Sequence, residues 1–176
     1  MIKKLIKKWR IYRSDAYQAG KWFAYYYGVK IGKNVRFTGK DISFGSEPFL
    51  IEIGDHCTIT PGVKFQTHDG GVALFRKEYP GLNVFGHIKI GNHVFIGEDA
   101  MIMYGVTVGN NVVIGARSVV TKDVPDNSVV VGVPGKVIKT LDEYKKTSLL
   151  KAVQIEQKES ALRHKEIIEK LAQLNK

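Results

Sequence analysis

Among the side chains that can move protons near neutral pH, the chain has five histidines. Four of them, His56, His68, His87 and His93, lie in or beside short aliphatic stretches. His68 stands apart, in the turn-like run Phe65-Gln66-Thr67-His68-Asp69-Gly70-Gly71. A histidine on a turn beside a projecting loop can reach a ligand in a cleft, and a ring that titrates near neutrality can serve as a general base. Asp69, or another carboxylate, could orient the ring. A histidine that merely fills a surface turn has the same local sequence. A zinc site would need three or four donors converging at close range. His87 and His93 are separated by five residues at variable turn positions, so no metal site is expected. The single cysteine, Cys57, excludes an intrachain disulfide and a cysteine-rich metal site. Among aliphatic neighbours it reads as a small core side chain.

A second region could hold an anion. Lys122, Lys136 and Lys139 cluster in sequence behind Gly115 and Ala116, small residues that let a ligand approach the backbone closely. Lysines there suit a long ligand carrying phosphates, although a solvated basic surface would look the same.

The elements that must position these groups follow from a repeat. Every sixth residue from Ile90 is aliphatic: Ile90, Ile96, Ile102, Val108, Ile114 and Val120. Gly follows four of the six, and small or branched residues lie two positions earlier. Ile53, Ile59 and Phe65 repeat the pattern, and Ile31-Gly32 is a fainter start. A period of six fits neither an amphipathic helix nor a long strand. It fits short strands separated by turns, each pointing one aliphatic side chain inward. Such strands bury a core only when coils stack. Three hexads make a triangular coil of 18 residues, so an all-β solenoid, a parallel β-helix, is expected over 29–140. Val84 lies six before Ile90 and extends the series backwards. That leaves 71–83 as a loop thrown out from one corner, where repeat proteins commonly bind ligands. If hexads 65 and 96 share a face, His68 stacks over Asp99, with Arg117 next in the column. Asp99 or Glu98 would then lie near His68.

The ends differ in composition. Residues 1–28 are basic and aromatic, and read as a helical or irregular cap. Residues 141–176 lack Gly and Pro and favour helix. The net charge is +10, and six cations precede the first acid, Asp15. Lys3, Lys4, Lys7 and Lys8 with Leu5, Ile6, Trp9 and Ile11 could lie on an anionic membrane, although a solubilising cap would look alike. No apolar run reaches the length of a membrane span, and nothing resembles a signal peptide. A cytoplasmic location is therefore expected, with the inner membrane face as a variant of it. No base-reading module is visible, so nucleic acid is not an expected partner.

The Ile-Gly hexads, the Thr-His-Asp-Gly-Gly corner and the ending Gly115-Ala116-Arg117-Ser118-Val119-Val120-Thr121-Lys122-Asp123-Val124-Pro125 with Gly132-Val133-Pro134-Gly135-Lys136-Val137-Ile138 resemble the hexapeptide-repeat acyltransferases. The resemblance covers about 30–140. It is strongest to the maltose, galactoside and xenobiotic acetyltransferase branch, and within it to O-acetyltransferases of bacterial capsule, lipopolysaccharide or exopolysaccharide loci. It implies a left-handed β-helix and acetyl-CoA as co-substrate. A carbohydrate acceptor and a homotrimer with active sites between subunits are implied too. It also implies His68 as the general base, and coenzyme A contacts at Glu98, Ala116, Thr121, Lys122, Lys136 and Lys139. Glu98 and Arg117 depart from the small or uncharged residues usual there. Rival readings are N-acetylation of a nucleotide-linked amino sugar, a metal-dependent β-helix hydratase and a non-catalytic scaffold. The hexads alone would fit the first two as well.

Overall fold

In the computed structural model, residues 2–174 are described, with the side chains of residues 5–7 and 9–174. The basic segment 1–13 thus falls partly outside: Met1 and the side chains of residues 2–4 and Lys8 lie beyond the described set.

The N-terminal cap is helical. Helix α1 (Ile2–Arg13) is followed by α2 (Gln18–Tyr27), which ends at Gly28 in the left-handed conformation (φ 77°). Asp15 accepts hydrogen bonds from the N–H groups of Tyr17 and Gln18, which starts α2. Phe23 of α2 packs edge-on against Phe37 and Phe44, closing one end of the apolar core.

The hexads then form strands of two or three residues. β1 (Lys30–Ile31) and β2 (Arg36–Phe37) precede the regular series. β3 (Ile51–Ile53), β4 (Thr58–Ile59) and β5 (Lys64–Phe65) come next. After a loop follow β6 (Ile88–Ile90), β7 (Phe95–Ile96) and β8 (Met101–Ile102). β9 (Thr107–Val108), β10 (Val113–Ile114) and β11 (Val119–Val120) complete the hexads. Successive strands visit three sheets in rotation. The first sheet runs β1-β3-β6-β9, and the third runs β11-β8-β5. The second contains β2, β4, β7 and β10, then β12 (Ser128–Val131) and β13 (Lys136–Thr140). All pairs are parallel except β12 with β13.

The predicted inward positions from Ile53 to Val120 are all buried except Val84, and so are the residues two positions before the others, from Ile51 to Ser118. Burying one such aliphatic side chain contributes roughly 1.5–3 kcal/mol. Stacking is tight where glycine ends a strand. A Cβ on Gly54 would lie 2.6 Å from the Gly91 carbonyl oxygen, and one on Gly91 would lie 2.6 Å from that of Gly109. The next residues form a ladder, in which Asp55 N–H donates to Asn92, Asn92 N–H to Asn110 and Asn110 N–H to Asp126. Cys57 is buried, and burial pushes its thiol up from the ordinary value.

Two expectations fail on register. Lys64 pairs with Met101 and Phe65 with Ile102, an offset of 37, whereas Met101 pairs with Val119 at an offset of 18. The inserted loop is therefore longer than 71–83. It leaves after Thr67, runs through a 3₁₀ helix (Gly70–Phe75) and closes where Gly86 N–H donates to the Thr67 carbonyl. Val84 opens no hexad; its carbonyl accepts from Asp69 N–H in the neck of the loop. Hexad 96 pairs with hexad 59, not 65, which moves Asp99 away from His68.

Residues from 142 onward make a separate unit. The expected helix is interrupted: α3 (Leu141–Leu149) and α4 (Ser160–Leu174) flank a non-helical stretch at 152–158. Glu166 of α4 accepts from the N–H groups of Glu156 and Gln157 and from Lys170, and Lys170 also donates to the Gln154 carbonyl. That side-chain network competes with continued helix, and composition alone carries no trace of it.

Candidate active site

The loop corner brings one histidine onto a carboxylate. His68 Nδ1 lies 2.9 Å from Glu47 Oε2, and the same oxygen accepts from the buried Thr67 hydroxyl at 2.7 Å. The His68 side chain is 29% exposed and that of Glu47 20%, so the pair is shielded but reachable. The Thr67 hydroxyl, and after it the His68 ring, hold the Glu47 carboxyl below its ordinary value. An ionised carboxylate on Nδ1 fixes which nitrogen carries the proton and leaves Nε2 as the lone-pair nitrogen. His68 also pairs with Phe85 through an antiparallel bridge, and the Phe85 ring meets the imidazole at 6.3 Å and 66°.

Glu47 escaped the sequence reading. It precedes the regular hexads, in Ser46-Glu47-Pro48. One signal existed. Ser43 bridges Lys64, an offset of 21, and the same step carries Glu47 to His68. The first rungs stack at 21 or 22 residues, not 18, so the regular period hid the pairing.

The other expected acids sit elsewhere. Asp69 accepts from Gly71 N–H at 2.8 Å and from the Tyr104 hydroxyl at 3.3 Å, anchoring the loop rather than the imidazole. Asp99 lies above Gly62 at the preceding corner, with the Arg117 Nε 3.7 Å away; the Arg117 side chain is largely in solvent and that of Asp99 partly so. Glu98 and Ala116 share that corner, and the Glu98 carbonyl accepts from Arg117 N–H. Thr121 and Lys122 follow β11, two rungs along from Phe65 in the third sheet, so they share His68's corner about 10 Å along the stack. Lys136 and Lys139 lie in β13, opposite Val131 and Val129. Within one chain the six expected coenzyme contacts thus fall in three places.

Two other histidines of the stack lie away from this corner. His56 and His93 stack face to face at 4.9 Å, both at positive φ, in a column with Asn34, Asn111 and Asn127. Among the described residues, no three His, Cys, Asp or Glu side chains converge as metal ligands would. No helix of the described residues is long and apolar enough to cross a membrane.

Comparison with known proteins agrees with this architecture. Residues 87–122 match the family described as bacterial transferase hexapeptide (six repeats). Protein CapG of Staphylococcus aureus is 53% identical over 118 residues, 66% of this chain and 69% of that protein. Galactoside O-acetyltransferase of Escherichia coli (strain K12) is 34% identical over 135 residues, 77% of this chain and 65% of that protein. A solved galactoside acetyltransferase in complex with coenzyme A superposes with a TM-score of 0.57 and 29% identity, over 82% of this chain and 83% of that one. The chain belongs to the hexapeptide-repeat transferase family.

Proposed function

We propose that this protein is an acetyl-CoA-dependent O-acetyltransferase that acylates a sugar hydroxyl, with His68 as general base. The observation that carries this reading is the His68–Glu47 pair at the loop corner of a hexapeptide-repeat transferase. The acceptor hydroxyl gives its proton to His68 Nε2 as its oxygen attacks the thioester carbonyl carbon. The tetrahedral intermediate collapses, the C–S bond breaks, and the coenzyme A thiolate takes the proton from the imidazolium. Glu47, rather than Asp69 or Asp99, stabilises the imidazolium between these steps. Relatives named for sugar O-acetylation, one of them solved with coenzyme A, support the substrate class. A place in capsule, lipopolysaccharide or exopolysaccharide synthesis, at the cytoplasmic face of a membrane, belongs to the same reading.

The finer architecture also belongs here. The coil is read as a left-handed β-helix, and the assembly as a homotrimer with active sites between subunits. The outward residues of the strands support this. The first sheet presents Lys30, Glu52, Lys89 and Thr107 throughout, whereas the second turns from Arg36 and Thr58 to Phe95 and Val113, and the third from Lys64 to Met101 and Val119. Apolar outward rows suit burial against neighbouring copies. A groove between copies would unite the coenzyme contacts that one chain scatters: Glu98 and Ala116 from one corner, Thr121 and Lys122 from the next, Lys136 and Lys139 from β13.

A thiol-release assay with acetyl-CoA and a panel of glycans tests the activity, and alkali lability of the product separates ester from amide. Coenzyme A release that requires a hydroxyl acceptor and disappears in His68→Ala is the expected result. Full turnover in His68→Ala would overturn the mechanism.

A further inference from the structure

Helix α1 is amphipathic, but the structure turns it opposite to the usual orientation. Among its described side chains the buried one is Ile11, and on the same side Lys7 and Arg10 grip the aromatic rings of α2. Lys7 Nζ sits 3.5 Å from the Tyr27 ring centroid, and the Arg10 guanidinium lies 4.9 Å from Trp22 and donates to the Tyr26 hydroxyl at 3.3 Å. Such cation–ring contacts are attractive and fix the rotation of a helix about its axis. The rotation leaves Leu5, Ile6, Trp9 and Tyr12 facing outward, 60%, 44%, 59% and 65% exposed. At 100° per residue these four fall within one sector of about 120°. Arg13 lies in this sector too, its guanidinium over the Trp9 ring. The sequence contributes six cations before Asp15 and no acid.

We propose that this outward row is an interfacial surface that seats the protein on an anionic lipid bilayer. Leu5, Ile6, Trp9 and Tyr12 would enter the headgroup boundary, with Arg13 of the same sector and the net positive charge of the segment drawing anionic headgroups. The helix is already docked on α2, so binding pays little to order it. Charge complementarity decides the occupant: with six cations and no acid before Asp15, this end of the chain matches an anionic surface. The inference rests on the membrane-face location proposed above and identifies the surface responsible. It differs from the sequence reading in removing Ile11, which the protein core takes, and adding Tyr12.

The test is vesicle cosedimentation of the full-length protein, with phosphatidylcholine alone and with phosphatidylcholine plus phosphatidylglycerol. The expected result is binding to the anionic vesicles that weakens as salt rises, and a blue shift of Trp9 emission. Leu5→Ser with Trp9→Ser should weaken vesicle binding at least tenfold. Thiol release with a soluble acceptor and the elution volume should stay unchanged. Undiminished vesicle binding in that variant would overturn this surface while keeping the location. No binding of the wild-type protein to anionic vesicles would overturn both. A change of oligomeric mass in the variant would assign the row to a second copy and overturn the lipid surface.

Discussion

Two corners of the same stack carry histidines, and they are built for different ends. At one, His56 and His93 lie face to face in a column of Asn and His residues at positive φ, beside the Asx ladder that ties each rung to the next. Each imidazole there has a like ring for a neighbour. At the other, His68 has left the regular column. The inserted loop departs behind it, Phe85 returns beside it, and Glu47 of the preceding rung meets Nδ1. The difference teaches that residue type does not set a histidine's surroundings in a repeat protein. Here a histidine meets a carboxylate where the repeat is interrupted, because the loop takes that corner out of the regular column.

The largest expected effect separates the corners outright. His68→Ala should lower acetyl transfer by on the order of 10²–10⁴-fold, the range lost with a general base. His56→Ala and His93→Ala should stay within about twofold, as surface changes remote from chemistry do. Steady-state thiol release on the three variants checks this, and equal losses at both corners would erase the distinction.

Glu47→Gln comes next. It keeps the shape but removes the charge on Nδ1, so kcat should fall substantially, on the order of 10²-fold, with KM for acetyl-CoA little changed. Asp69→Asn should cost less, because Asp69 holds the loop and not the ring. A larger kcat loss for Asp69→Asn than for Glu47→Gln would reassign the orienting carboxylate.

The stacking corner should show its importance in stability instead. Gly91→Ala drives a methyl toward the Gly109 carbonyl at 2.6 Å, and overpacking of this kind costs about 1–3 kcal/mol. Denaturant unfolding of the Gly91→Ala and wild-type proteins would measure it. At the active corner, Thr67→Val removes the leading cause of the lowered Glu47 pKa. A lowered carboxyl contributes stability that is full above its unfolded value and fades as pH falls through the folded value. Thr67→Val should therefore lower stability above the ordinary carboxyl range and flatten its fall as pH drops, read as melting temperature against pH. The smallest effect lies outside both corners. Lys170, with the N–H groups of Gln157 and Glu156, draws Glu166 down to about 2. By the same sign its contribution is full above the ordinary carboxyl range and lost from there down through about 2. Glu166→Gln should flatten that acid dependence in the helical signal of residues 142–174.

Much of the molecule was legible before any coordinates. Val84 apart, the hexads named the buried positions from Ile53 to Val120 correctly, because a six-residue period admits few other ways to bury one aliphatic per turn. They also pointed to the corner that carries His68. The partner of His68 was not legible. It depended on the offset of 21 in the irregular first rung, which a regular period of 18 cannot report. The same blindness put Asp99 in the wrong column, since loop length decides how many residues separate two stacked strands and sequence does not say where a loop rejoins. Helix rotation was likewise tertiary: the amphipathic pattern of α1 was visible, but only the rings of α2 chose which side faces out. Local periodicity determined what is buried along each strand. Long-range register, set by loop closure and by side chains far apart in the chain, decided which groups meet.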